Sequence, residues 1–229
     1  MCREGSSVNR RMYGAGRNPA SGGSHQLGSL MNPRPSPLYV VEATDRFDRD
    51  GAASAVADLL TALGRAVSNP HLAETPRRVA DAFIEMLTPR DFALTTFPND
   101  EGYNELVLVR DIPFHSLCEH HLLPFQGIAH IGYLPGDRIL GLSKLARVLE
   151  FFARDLQVQE RLTKQVADWL QEQLAPRGVG VVLEAEHSCM SLRGVHVGGT
   201  RTTTSAFHGL IREDARTRDE FFALCGLRV

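Results

Sequence analysis

Two segments in the first half of the chain carry apolar residues at helical spacing. Between 52 and 66 the apolar positions recur every three or four residues, which predicts an amphipathic helix. A second helix is predicted to begin with Thr75 as its N-cap and Pro76 in its first turn, and to end before Pro89. The apolar positions that define the two helices are Val56, Leu59, Leu60 and Leu63, then Val79, Phe83, Met86 and Leu87.

Beyond residue 101 the pattern alternates between strand and helix. Strands are predicted over 105–112, 125–133, 178–187 and 200–211, and helices over 142–155, 157–174 and 216–224. This order predicts an α+β fold: a four-stranded antiparallel sheet with two helices on one face, preceded by N-terminal helices. The two open edges of such a sheet favour association with further copies of the chain.

The first part of the chain has a different composition. It is rich in Gly, Ser, Asn and Pro, and residues 1–40 contain five arginines and one acidic residue. Such a segment cannot bury enough apolar surface to offset its ordering entropy. We therefore predict a disordered basic arm over 1–45 and one domain over 46–229, with N-terminal helices at 50–90 and the sheet-containing core at 102–229.

Composition and charge exclude several classes of function. A formal net charge of −2 gives no reason to expect nucleic-acid or membrane binding, so a bound anion would need a local cluster of cations. No run approaches the roughly 18 apolar residues of a membrane span. Four widely spaced cysteines favour a reducing compartment, and we expect the protein to be cytoplasmic.

The densest candidate chemistry is a metal-ligand pattern. Cys118 and His121 lie three residues apart, so one turn can direct both to a single ion. Cys189 follows the strand that ends near His187, and an extended backbone would place these two side chains on the same face. Two thiolates and one imidazole would leave zinc an open fourth position, as in catalytic sites.

Two other interpretations of these residues remain open at this point. The first is a closed structural zinc site with a fourth ligand from Cys225, His196 or His208. The second is a pair of unrelated buried cysteines. If the metal site is catalytic, His120 and His187 flank it without being needed as ligands, and they are candidates for acid and base.

Cationic side chains cluster near a predicted helix start. Ser143 and Lys144 begin the helix over 142–155, where backbone N–H groups favour an anion, and Arg147 shares the exposed face of Lys144. Arg193 lies four residues beyond Cys189. Together these residues predict a polyphosphate site. Glu160 either accepts paired N–H bonds from a guanine base or complements a helix dipole, and the residues alone leave both open.

Four runs of this chain resemble GTP cyclohydrolase I in order and spacing, from about residue 50 to the C-terminus. The runs are Ser116-Leu117-Cys118-Glu119-His120-His121, Gly141-Leu142-Ser143-Lys144, Gln157-Val158-Gln159-Glu160-Arg161-Leu162-Thr163 and His187-Ser188-Cys189. The resemblance implies the tunnelling fold, in which the sheets of five subunits close a barrel and two rings form a homodecamer with active sites between subunits.

The resemblance also implies roles for individual residues. Zinc would be held by Cys118, His121 and Cys189, and Glu160 would anchor the guanine of GTP. The other implied catalytic and substrate-binding residues are His120, His187, Ser143, Gln159, Lys144, Arg147, Arg193 and Arg78. Ser188 departs from the larger side chain common at its position, and the basic arm is not explained by the resemblance.

The implied enzyme is a zinc-dependent hydrolase acting on cyclic amidine C–N bonds. It would open the imidazole ring of GTP at C8, release formate and form 7,8-dihydroneopterin triphosphate by Amadori rearrangement and ring closure, the first step of pterin and folate biosynthesis. Two alternatives are a related tunnelling-fold enzyme acting on another purine or pterin, and a non-enzymatic zinc module or GTP sensor. The Cys/His/Cys set argues against the former, and the two spare histidines argue against the latter.

Overall fold

The computed structural model describes the backbone of residues 40–41 and all of residues 47–227. The predicted basic arm therefore lies almost entirely outside the described residues. In the described part the chain has seven helices: α1 Arg49–Ala62, α2 Thr75–Leu87, α3 Ser143–Ala153, α4 Gln159–Leu174, α5 Ser188–Ser191, α6 Gly209–Glu213 and α7 Ala215–Cys225. The α+β class that the sequence predicts is confirmed.

The strands form one main sheet and two small pairs. Their bounds are β1 Val40–Val41, β2 Phe92–Ala93, β3 Thr96–Pro98, β4 Val107–Cys118, β5 Pro124–Leu134, β6 Arg138–Leu140, β7 Leu156–Gln157, β8 Gly178–His187 and β9 Thr202–His208. The main sheet has the order β7-β4-β5-β8-β9, while β1 pairs with β2 and β3 with β6. The four long strands are antiparallel to their neighbours, and the two-residue β7 pairs parallel with the end of β4.

One face of the sheet packs against α3 and α4. Alternate residues of β8, from Val179 to Ala185, join the apolar faces of both helices in one buried cluster. In α4 that face includes Leu162, Val166 and Leu170, all with no exposed surface. The spacing of these residues at three and four positions is the reason this segment forms a helix with one buried stripe.

The opposite face of the sheet is partly covered by α7, which corresponds to the helix predicted over 216–224 and was not assigned to a face of the sheet. Val182, which points away from α3 and α4, packs in a second cluster with Phe221 and Cys225 of α7. The ring of Phe221 lies so close to Gly132 and Gly180 that an added Cβ would be 3.2 and 2.8 Å from it. The glycines therefore provide the space into which α7 docks.

Several predicted boundaries are wrong by a few residues, and one strand is much longer than predicted. β4 continues to Cys118, six residues beyond its predicted end at 112, because the exposed Pro113 and His115 interrupt the apolar pattern there. A bulge between Val109 and Ile112 also breaks the alternation, with Asp111 at a φ of 59°. In α2, Glu74 and not Thr75 occupies the N-cap position. The prediction of a four-stranded sheet missed the short strand β7.

Candidate active site

The turn between β4 and β5 brings two potential metal ligands together. β4 ends at Cys118, whose N–H donates to the carbonyl of Leu123 at 2.9 Å, while the N–H of Leu122 donates back to the carbonyl of Cys118 at 2.8 Å. Leu122 takes a left-handed φ of 54°, which closes the turn. As a result His121 lies back against the strand end, with its Nδ1 3.8 Å from Cys118 Sγ.

The third potential ligand comes from the end of β8. The strand predicted over 178–187 is confirmed as β8, but the backbone does not stay extended as far as Cys189, because Ser188–Ser191 forms one helical turn. This turn still directs Cys189 to the other two residues. One ligand atom each from Cys118, His121 and Cys189 lies within 4.8 Å of the others.

The chemistry of this cluster fits a metal ion. Burial raises the pKa of the Cys189 thiol and the neighbouring Cys118 raises it further, so two adjacent thiolates need a compensating cation. In a tetrahedral site, ligand atoms at about 2.0–2.3 Å from a zinc ion are separated from one another by a little under 4 Å. The 3.8 Å between Cys118 Sγ and His121 Nδ1 agrees with that spacing.

The residues considered as a fourth ligand lie in other surroundings. Cys225 packs in the apolar cluster beneath α7, and burial raises its pKa to about 12. His208 Nε2 lies 2.9 Å from Asp168 Oδ1. His196 is exposed in the loop after α5. Within the described residues the group of potential metal ligands therefore has three members. Three protein ligands are the number typical of open, catalytic zinc sites.

His120 lies on the exposed side of the same turn. Its side chain is 64% exposed, and its Nε2 lies 4.0 Å from Glu119 Oε1. Its Nδ1 is 3.8 Å from Cys118 Sγ, the same separation that His121 shows. The structure thus places this histidine beside the cluster and accessible from outside.

His187 is held more tightly than His120. Its ring stacks on Phe125 with centroids 4.6 Å apart and planes inclined by 3°, and its Nε2 lies 2.8 Å from Gln159 Oε1. Burial lowers the pKa of His187, and the carboxylate of Glu160 partly offsets that effect. Sequence reasoning missed Phe125, because an apolar residue in a strand carries no signal beyond core packing.

Glu160 and Arg193 lie near these groups. Glu160 is exposed in the first turn of α4, and it lines a cavity of about 490 Å³ between α4 and β9, together with Lys164, Asp168, Thr204 and His208. Arg193 is close enough to Cys189 for its charge to lower that thiol's pKa, against the larger effect of burial. Arg193 therefore lies near the three potential metal ligands, and Glu160 lies near His187.

The other predicted anion-binding residues lie elsewhere on the fold. Ser143, Lys144 and Arg147 occupy the first turns of α3, whose opposite end lies near the metal turn because Ser116 Oγ donates to the carbonyl of Ala153 at 2.6 Å. At a rise of about 1.5 Å per residue, Ser143 lies about 15 Å and Arg147 about 9 Å along α3 from Ala153. Arg78 is exposed on α2.

Fold and site together define the class: an α+β protein with three converging potential metal ligands flanked by two histidines. Comparison with known proteins agrees with that class, because the family profile of GTP cyclohydrolase I matches residues 52–226. The chain belongs to the GTP cyclohydrolase I family.

Individual relatives are similar over nearly their whole length. The GTP cyclohydrolase 1 of Aquifex aeolicus is 50% identical over 178 residues, covering 78% of this chain and 97% of the relative. That of Mycobacterium tuberculosis is 51% identical over 180 residues, covering 76% and 89%. Among solved structures, apo archaeosine synthase QueF-Like has a TM-score of 0.38 and 14% identity, over 45% of this chain and 93% of that one, too low to define the fold.

Of the helices in the described part of the chain, none combines the length and the apolar character that a bilayer crossing requires.

Proposed function

We propose that this protein is a GTP cyclohydrolase that converts GTP and water into formate and 7,8-dihydroneopterin triphosphate, the first step of pterin and folate biosynthesis. The observation that carries the proposal is the convergence of Cys118, His121 and Cys189 within 4.8 Å, in a chain of this family. The imidazole ring of GTP would open hydrolytically at C8. Amadori rearrangement and ring closure would follow.

The three converging residues would hold a zinc ion. Two thiolates and an imidazole are ligands that zinc prefers, and three protein ligands leave one position open. Zinc bound there would supply a Lewis acid that activates a water molecule near neutral pH.

His120 and His187 would move protons at the substrate's ring. His187 is half-buried, so its pKa lies below the ordinary value and it is largely neutral near pH 7. His120 is exposed, which suits exchange of protons with solvent. We assign proton transfer at the purine ring to this pair without dividing the individual steps between them.

GTP would be bound by its two ends. Glu160 would accept N–H bonds from the guanine, and its position on the cavity between α4 and β9 supports this role. Arg193, close to Cys189, would bind a phosphate near the metal, and Lys144, Arg147 and Arg78 would bind the remaining phosphates. Ser143 would donate to a phosphate from the first turn of α3.

Substrate binding would require more than one copy of the chain. Ser143 and Lys144 lie about 14–15 Å, and Arg147 about 9 Å, along α3 from its contact near the metal turn, so we propose that a neighbouring subunit supplies these phosphate contacts. Both edges of the main sheet offer strands for pairing: among the described strands β9 has one neighbour, and β7 pairs with β4 only at Leu117 and Cys118. We propose the tunnelling fold of the family, with pentameric rings paired into a decamer, in the cytoplasm, with residues 46–229 as the catalytic domain.

A direct assay tests this proposal. Purified zinc-loaded protein given GTP is expected to release formate and yield a product that becomes fluorescent after oxidation to a pterin. A Cys118→Ser protein should lose both signals together with its zinc. Formate without a pterin would indicate a reaction that stops after ring opening, and GTP binding without formate would support the alternative of a GTP sensor.

A further inference from the structure

The side chain of Gln159, in the first turn of α4, is occupied by protein groups. It is 1% exposed. Its Nε2 lies 3.1 Å from the carbonyl oxygen of Leu183, 2.9 Å from that of Thr202 and 3.1 Å from Thr204 Oγ1. Its Oε1 lies 2.8 Å from His187 Nε2. The sequence predicted a substrate contact here, but the amide is directed into the protein, to β8, β9 and His187.

These partners determine which way the amide points. Carbonyl oxygens only accept hydrogen bonds, so the atom facing Leu183 and Thr202 must be the NH₂ group of Gln159. The atom facing His187 is then the amide oxygen, which only accepts. His187 must donate through Nε2, and the neutral ring carries its lone pair on Nδ1.

The ring plane of His187 is held by a second, independent contact. Phe125, which has no exposed surface, stacks on it with centroids 4.6 Å apart and planes inclined by 3°. A flip of 180° about the Cβ–Cγ bond would keep the ring in the same plane, and the bond to Gln159 Oε1 disfavours that flip. Stack and hydrogen bond together leave the imidazole one orientation and one neutral tautomer.

We infer that Gln159 is a positioning residue, which acts on the reaction through His187 by fixing that ring's orientation and its Nε2–H tautomer. This inference rests on the proposed function, since it assumes that His187 takes part in proton transfer. It assigns Gln159 no contact with GTP. The residue should therefore matter for turnover and much less for substrate binding.

A double-mutant cycle on the zinc-loaded oligomer tests this role. Gln159→Met keeps the side-chain volume but removes the acceptor, and it is expected to lower kcat about tenfold or more with KM changed less than about threefold. In a His187→Ala background the same substitution should cause no further loss, because the residue through which it acts is absent. Gln171→Met makes the same chemical change near the other end of α4 and should leave kcat unchanged.

Loss of stability is separated from loss of positioning by further measurements. Zinc content, oligomer size and Tm are recorded for every variant. Gln159→Asn keeps a neutral amide among the carbonyls but withdraws it by one methylene, and it provides a folded protein for the same cycle if the Met variant does not fold. A crystal structure of either variant should show the His187 ring rotated.

Each outcome decides a different point. Equal losses in both backgrounds, or a change confined to KM, would overturn the inference and leave the proposed function intact. Normal turnover in His187→Ala alone would contradict the catalytic role of His187, and Gln159 could then have no effect through it. A loss of kcat confined to the His187-containing background would support both the positioning role of Gln159 and the catalytic role of His187.

Discussion

Arg161 on α4 bonds to Glu119 in the metal-ligand turn, although 42 residues separate them in sequence. Its Nη2 lies 2.5 Å from Glu119 Oε2 and 2.7 Å from the carbonyl oxygen of Leu156, and its Nε lies 3.0 Å from Gln157 Oε1. The N–H of Glu119 in turn donates to the carbonyl of Gln157 at 3.0 Å. The residue between Cys118 and His120 is thus held from both its side chain and its backbone.

Removing the hydrogen bonds of Arg161 to Glu119, Leu156 and Gln157 should weaken metal binding. Arg161→Met keeps the apolar stem but removes the three donors, so the turn carrying Cys118 and His121 becomes less ordered before the metal binds. We expect zinc affinity to fall about tenfold, as is typical when a group that orients metal ligands is removed. Competition with a chromophoric chelator measures the change.

An exposed arginine pair elsewhere provides the control for that experiment. Arg77 lies 3.0 Å from Glu74 on α2, with both side chains about half exposed. Arg77→Met should leave zinc affinity unchanged, since solvent-exposed pairs contribute little to stability. Equal zinc affinities for wild type and Arg161→Met would show that the turn is ordered without the hydrogen bonds of Arg161.

Docking of α7 depends on the absence of a side chain at position 180. In Gly180→Ala the new Cβ would lie 2.8 Å from the Phe221 ring, which is fully buried and cannot move away freely. We expect a loss of about 1–3 kcal/mol in the free energy of unfolding, as for other overpacked cores. Urea denaturation followed by intrinsic fluorescence measures it.

The matched substitution at Gly198 distinguishes overpacking from a general effect of alanine. No heavy atom beyond its chain neighbours lies within 4 Å of the Cβ position at Gly198. Gly198→Ala should therefore change the free energy of unfolding by less than about 0.5 kcal/mol. Similar losses in both variants would mean that the Phe221 contact is not the cause.

Cys225 should respond to alkaline pH. Burial raises its pKa to about 12 in the folded protein, against 9.0 for an exposed thiol. Between these values the folded state binds more protons than the unfolded state, so the contribution of this thiol to stability is present below about pH 9 and is lost as pH rises toward 12. Replacing Cys225 by Ala should flatten the fall of Tm with pH in this window.

The same shift predicts slow alkylation of Cys225. At pH 8 the thiol is almost fully protonated in the folded protein, so iodoacetamide should modify it far more slowly than in urea. Mass spectrometry of the peptides identifies the modified residue directly. Rapid alkylation under native conditions would mean that the end of α7 opens readily.

How much the sequence predicts varies from residue to residue. Cys118 and His121 share one turn, so their spacing alone predicted their convergence. Cys189 was predicted to join them from an extended backbone, whereas the structure has a helical turn there. The predicted neighbours of Cys189 are correct although its predicted local conformation is not. Either an extended segment or a helical turn after His187 can bring the Cys189 thiol to the same ion.

The contacts around Gln159 could not be predicted in this way. A glutamine beside Glu160 at the start of a helix looks equally suited to solvent, substrate or protein partners. Its partners on β8 and β9 lie 24 to 45 residues further along the chain, and only the register of those strands brings them to α4. Likewise, the docking of α7 depends on two glycines in different strands, which no pattern within one segment reveals.

Glu160 allows the two interpretations of an acidic residue in the first turn of α4 to be separated. If its carboxylate binds guanine, Glu160→Gln keeps the shape but loses the charged acceptor, and GTP affinity should fall about 10- to 200-fold, equivalent to the roughly 1.5–3 kcal/mol of a charged hydrogen bond. Its Tm should change little. If it only complements the helix dipole, stability should fall by about 0.3–1 kcal/mol with GTP affinity unchanged.

Calorimetric titration with GTP and thermal unfolding of the same samples distinguish these results. Glu172→Gln, near the C-terminal end of α4, serves as the control, since a carboxylate there neither lines the cavity nor favours the dipole. It should leave GTP affinity unchanged and slightly raise the Tm. A Glu160→Gln protein with wild-type GTP affinity would remove the guanine contact from the proposed site and leave base recognition to other groups lining the cavity between α4 and β9.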